Sequence, residues 1–156
     1  DTDELAAKVL IDKNSPFLKS IILNRGSKDN IKIGDAVLDG SYLVGKIVEV
    51  NFKSSRALLI SDLNSKIPVT IMPGNVQSIL TGTGKEQGEI QYQMEEQDIE
   101  SNSIVYTSGS GGIFKSGIPI GKITEVSNIN GIKVKFFSNL SQLNFVKVVS
   151  FNRGDN

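Results

Sequence analysis

The 156-residue sequence contains no cysteine, no histidine and no tryptophan, and its basic and acidic residues balance at 17 each. Each absence removes a class of function. Without cysteine there is no disulfide framework, no thiolate nucleophile and no cysteine metal site. Without histidine a Ser-His-Asp arrangement cannot be assembled, because an imidazole has to take the serine proton. The formal net charge is zero and the two signs are interspersed along the chain. A nucleic-acid binder shows a basic stripe instead, so no nucleic-acid partner is expected. No run of 18 apolar residues is present, and the opening DTDELAAKVL lacks the charged, apolar and small-residue order of a signal peptide. No cofactor motif or metal-ligand spacing emerges either. What is present is a globular composition, 38% hydrophobic and 22% charged, on a chain long enough to bury roughly 70% of its unfolded surface.

The apolar residues recur with the period of strands. Short β-branched runs alternate with Gly, Asn, Asp and Ser clusters, which predicts strands over 8–13, 20–24, 36–38, 42–50, 56–61 and 67–72. A second set is predicted over 77–82, 89–94, 104–107, 118–126, 132–138 and 145–151. Helix is nearly absent, with single helical turns allowed at 62–66 and 139–144. Turn chemistry separates the strands at Asn24-Arg25-Gly26, Ile33-Gly34-Asp35, Asp39-Gly40 and Pro73-Gly74-Asn75. Asn130-Gly131 is the pair that a two-residue type I′ hairpin prefers. Gly26, Gly34, Gly45, Gly109, Gly112 and Gly121 are the glycines expected to shape the backbone at turns.

An internal repeat organises these strands. VGKIVEV at 44–50 matches IGKITEV at 120–126, and SDLNSKIPV at 61–69 matches SNLSQLNFV at 138–146, offsets of 76 and 77 residues. Upstream, NIKIGDAVLDG aligns with DIESNSIVYTSG at a shorter offset, so the second copy carries an insertion, the GSGGIFKSG loop. Two copies are too few for a solenoid, which needs about three or more units. The expectation is an all-β protein of two small six-stranded barrels, residues 8–73 and 74–151, with 152–156 as a tail. A single core of that size supplies only about 3–5 kcal/mol, so the barrels should pack on each other. Residues 67–72 and 145–151 hold equivalent places in the repeat, and the sequence does not exclude a trade of those two strands between the barrels.

Several stretches invite sharper readings. In Gly109-Ser110-Gly111-Gly112 a serine framed by glycines is similar to the nucleophile loop of serine proteases. Lys115 is the only nearby base, and it lies in a polar loop where a lysine is not desolvated. GTGKEQG at 82–88 has the wrong spacing for a phosphate loop and is followed by strand-like EIQYQM, which reads as a hairpin loop. Glu95, Glu96, Asp98 and Glu100 lack the order of a calcium loop. The RGD triplet at 153–155 is short enough to arise by chance. Phe17, Leu18, Phe52, Ile113 and Phe114 are apolar residues in or beside loops; they either plug barrel ends or form a partner-facing patch.

The blocks RGSKDNIKIGDAV, VGKIVEV, SSRALLISDLNSKIPV, GTG, IVYTSGSGGIFKSGIPIGKITEV and FVKVV, in this order, resemble the periplasmic or extracellular core of the MreC family of bacterial rod-shape-determining proteins. The resemblance covers roughly residues 8–150. Asn30 stands where the family usually has glycine, and Lys115-Ser116 replace its usual prolines before Gly117. The resemblance implies two six-stranded barrels with chymotrypsin-like topology and no catalytic residues. It implies a non-enzymatic scaffold of the cell-elongation machinery that maintains rod shape by self-association and by binding the class B penicillin-binding transpeptidase, with MreD, RodA and MreB as further partners. It also implies a membrane helix and coiled coil before this core, on the periplasmic or extracellular face of the cytoplasmic membrane. Residues 1–7 would then be the end of that coil or a linker. The competing readings are residual hydrolysis at Ser110 and a peptidoglycan-binding module, the latter weakened by the lack of tryptophan.

Overall fold

The computed structural model describes residues 2–10, 19–91 and 99–151. It is all-β, with twelve strands in two closed antiparallel barrels and only two 3-10 turns, Ser27–Asp29 and Ser110–Gly112, among the described residues. The strands are β1 (Thr2–Leu10), β2 (Ser20–Leu23), β3 (Ala36–Asp39), β4 (Tyr42–Val50), β5 (Ser55–Leu59) and β6 (Lys66–Met72). They continue with β7 (Val76–Gly82), β8 (Gln87–Ile90), β9 (Ile104–Thr107), β10 (Pro119–Ser127), β11 (Gly131–Phe136) and β12 (Phe145–Phe151). The predicted strand ends at 11–13 and 92–94 lie outside the described residues.

The first barrel runs β1-β12-β3-β4-β5-β2 and the second β10-β11-β8-β7-β6-β9. A cut at residue 73 therefore does not separate them: β6 is hydrogen-bonded to β7 and β9, and β12 to β1 and β3. Each barrel is five consecutive strands closed by the sixth strand of the other copy, so the chain crosses twice between barrels, at 60–65 and 137–144. Asp62 pins the first crossing. Its carboxylate accepts the backbone N–H of Lys19 at 2.9 Å and that of Asn64 at 2.7 Å. At the equivalent place in the second crossing, Asn139 Oδ1 accepts the N–H of Ser141 at 3.1 Å. The same Asx geometry thus turns the chain at both crossings. Neither crossing is helical.

Residues 2–7 depart from the expected coil end or linker, since β1 begins at Thr2. Alanine at 6 and 7 favours helix intrinsically, but Ala7 is buried and Leu5 and Val9 pack on the first core, while Ala6, Lys8 and Leu10 face out. Pairing with β12 on one side and β2 on the other overrides the propensity.

Ala7, Leu23, Val37, Val44, Ile47 and Val148 are among the residues filling the first barrel. The second core does not stop at its own barrel, because Ala36, Leu38, Leu43 and Val149 of the first barrel and Ile60 of the first crossing belong to it. Strand β3 is consequently buried on both faces, Val37 inward and Ala36 and Leu38 toward the neighbouring barrel, which explains its unbroken apolar run. Leu140, in the second crossing, packs against both cores.

The repeat carries over into strand irregularities. Register shifts fall between Ile47 and Glu49 in β4 and between Ile123 and Glu125 in β10, equivalent positions. Gly45 and Gly121 are not turn residues but lie inside β4 and β10. A Cβ on Gly45 would sit 2.6 Å from the Leu58 carbonyl oxygen, and one on Gly121 would run into the Lys135 carbonyl. Both are glycine because a neighbouring backbone passes too close for a side chain. The Asn130-Gly131 hairpin also differs from the predicted two-residue turn. Ser127 pairs with Gly131, leaving residues 128–130 between the strands, and positive φ falls at Gly131 (81°) and not at Asn130. The Ser127 hydroxyl oxygen accepts the N–H groups of Ile129 and Asn130, a local bonding pattern that holds the longer loop.

Candidate functional site

The insertion that distinguishes the second copy, Gly109 to Gly117, is organised at its base by Thr107, which is almost fully buried at the end of β9. Its hydroxyl donates to the Lys115 carbonyl at 2.7 Å and accepts the Ile118 N–H at 2.9 Å. Its own carbonyl accepts the Gly117 N–H at 2.8 Å, and its N–H donates to Ile118. One threonine thereby closes the base of the loop through four hydrogen bonds. Above it, Ser108 donates its N–H to Pro68 of β6 and lends its hydroxyl oxygen to the Ser110 N–H. Gly109 and Gly112 sit at φ values of 79° and 67°, left-handed conformations that a side chain would strain.

Ser110 is exposed at the top of this loop, and Lys115 is likewise exposed and not desolvated. No histidine exists anywhere in the chain to take a proton from the serine. The glycine-framed serine is therefore placed as part of a short 3-10 turn, Ser110–Gly112.

Phe114 is withdrawn from any surface role, since it is only 7% exposed and belongs to the shared core between the barrels. Its burial makes it a plug, and Ile113, half-buried, packs against the same core. Phe17 and Leu18 lie outside the described residues, as do the acidic residues 95, 96 and 98 and the RGD triplet. Glu100 is exposed, its carbonyl accepting the Ser103 N–H. Of the turn glycines, Gly34 has φ 95° and Gly26 is extended and packed under the 51–54 hairpin tip.

The surface available to a partner instead includes the hairpin tips, which sequence reasoning weighed only in part. Phe52 on the β4–β5 tip is 64% exposed and Ile129 on the β10–β11 tip is 92% exposed. The two tips are equivalent in the repeat, although the offset of 76 residues sets Phe52 against Asn128 and the second tip is one residue longer. Phe52 is held outward because Ser27 and Lys28 donate their N–H groups to the Asn51 and Phe52 carbonyls. Tyr42 and Phe137, one from each half of the chain, stack across the barrel boundary with ring centroids 5.0 Å apart. Nothing in the local pattern of either sequence segment marks that contact.

Residues 9–150 match the family described as rod shape-determining protein MreC, barrel core. The chain belongs to the MreC family. The MreC cell shape-determining protein of Cereibacter sphaeroides is 33% identical over 141 residues, 90% of this chain and 47% of the relative. The chain thus spans about half the length of that curated relative. Among solved structures, MreC from Pseudomonas aeruginosa is 29% identical with a TM-score of 0.86, covering 94% of this chain and 98% of that one. A complex between the penicillin-binding protein PBP2 and MreC from Helicobacter pylori shares the fold at 16% identity, TM-score 0.73, covering 95% of this chain and 98% of that one. The backbone geometry explains why asparagine is acceptable at position 30. Asn30 sits at φ 65°, closing the Ser27–Asp29 turn, and asparagine is the side chain that best tolerates that region after glycine.

Proposed function

We propose that this chain is the non-enzymatic barrel core of a rod-shape scaffold, acting on the periplasmic or extracellular face of the cytoplasmic membrane by self-association and by binding the class B penicillin-binding transpeptidase. The observation that carries the reading is the match of residues 9–150 to the MreC barrel core, in a chain that forms two closed barrels. The Helicobacter pylori relative, solved in complex with PBP2, supports the choice of partner class. The physics is compatible with such a role. Crossed strands and a core continuous between the barrels make one stiff body, and the backbone-pinned tips at Phe52 and Ile129 present apolar side chains without a folding cost on contact. MreD, RodA and MreB are proposed as further members of the same assembly. Coiled-coil pairing in a longer chain would raise the local concentration of cores, so weak contacts suffice.

Sedimentation velocity of this chain, alone and mixed with the soluble part of the class B transpeptidase from its own species, tests the reading. A defined complex supports it. Two independently sedimenting species refute a transpeptidase-binding surface within these 156 residues. Labelling with a fluorophosphonate addresses the hydrolase alternative, and adduct formation at Ser110 would overturn the non-enzymatic part.

A further inference from the structure

Where the chain leaves β5 and β11 to cross between barrels, the two exits bound a groove of about 410 Å³. Its floor is built from repeat-equivalent residues, Leu59 and Ser61 from one exit, Phe136 and Ser138 from the other. Three lysines from three separate elements converge on it: Lys19 ahead of β2, Lys85 in the β7–β8 loop and Lys135 of β11. All three are exposed, and none forms an ion pair with a described residue. Among the described residues that line the groove Glu86 is the one acidic side chain, so these residues carry a net charge of +2 on a chain whose total is zero. We propose that this inter-barrel groove binds a phosphodiester, either of an anionic polymer or of a phospholipid headgroup.

The donor set points to that chemistry. Lysine binds phosphate as a point charge and needs no planar match. The Lys19 backbone is fixed on both sides, its N–H donating to Asp62 and its carbonyl accepting from Leu59, so the ammonium stem starts from a rigid point. Asn139 Oδ1 is taken up by the N–H and the hydroxyl of Ser141, which leaves its amide nitrogen as a further donor. Phe137 and Leu140 supply an apolar margin suited to the carbon spacer between phosphates. A peptide ligand is disfavoured because both barrels are closed and offer no free strand edge to its main chain. The site lies at a boundary between barrels, where ligand pockets concentrate, and its volume falls in the usual range of roughly 300–1,000 Å³.

The test is an NMR titration of the whole chain with glycerophosphoglycerol at constant ionic strength, beside cosedimentation with phosphatidylglycerol or phosphatidylcholine vesicles. The expected result is amide shifts confined to Lys19, Lys85, Lys135 and residues 138–141, or selective capture by phosphatidylglycerol. In either case the combined change K19Q/K85Q/K135Q should weaken binding at least tenfold, and K28Q/K32Q/K53Q, an equal loss of exposed charge elsewhere, should not. Binding of the soluble diester without vesicle capture identifies a polymer, and capture by vesicles alone identifies a headgroup. Shifts spread over the surface, an unaffected triple variant, binding in neither arm, or a triglutamate peptide that binds as tightly as the diester would each overturn the proposal. None of these outcomes bears on the transpeptidase contact, which sedimentation reads separately.

Discussion

Replacing Thr107 by valine keeps the shape of the side chain and removes only its hydroxyl. That hydroxyl accepts the Ile118 N–H in a buried bond of 2.9 Å and donates to the Lys115 carbonyl at 2.7 Å. After the change the Ile118 N–H keeps no acceptor in a dry site, which costs about 1–3 kcal/mol. Lys115 is exposed, so its carbonyl recovers a water and loses at most about 1 kcal/mol. The expected total is about 2–3 kcal/mol, a fall in Tm of roughly 5–10 °C for a domain of this size. Thr107→Ser retains both hydrogen bonds and gives up one methyl group, about 1 kcal/mol. Differential scanning calorimetry of the pair separates the two contributions. A valine variant that melts with the parent, or a serine variant that melts lower than the valine one, would refute the assignment of the loop's order to the hydroxyl.

Ala substitution at Gly45 or Gly121 should destabilise by about 1–3 kcal/mol each through displacement of the neighbouring strand; urea midpoints equal to the parent's would contradict the close approach. Phe114→Ala should cost about 3–5 kcal/mol and broaden or abolish cooperative melting, as expected for a ring in the shared core. A variant that melts normally but loses transpeptidase binding would return Phe114 to the surface. At Asn30, the left-handed φ predicts that glycine is tolerated within a few tenths of a kcal/mol, whereas alanine costs about 1–2 kcal/mol. Chemical denaturation of the two variants checks the order, and equal stabilities would count against it.

The all-β class, most strand positions and the two-barrel organisation were legible because period-2 burial and a 76-residue repeat are local or nearly local signals. Absence of histidine likewise barred a catalytic triad before any coordinate was known. Strand β1 was obscured because Ala6 and Ala7 carry a helical preference that only pairing with β12, some 140 residues away, overrules. The hairpin at Asn130-Gly131 shows the same limit on a smaller scale: the dipeptide suits a two-residue turn, but register with β8 and β10 sets the loop length.

Amino-acid pattern alone determined that this chain forms strands, repeats itself once and lacks the groups for triad chemistry. Only the tertiary structure decided which barrel each sixth strand closes, because β6 and β12 are equivalent in sequence and the choice rests on long-range pairing energies. It also decided that Phe114 is core while Phe52 and Ile129 face solvent, since burial depends on what packs above a residue and not on its type. The convergence of Lys19, Lys85 and Lys135 has the same origin, three separate stretches brought to one groove by the crossing of the chain.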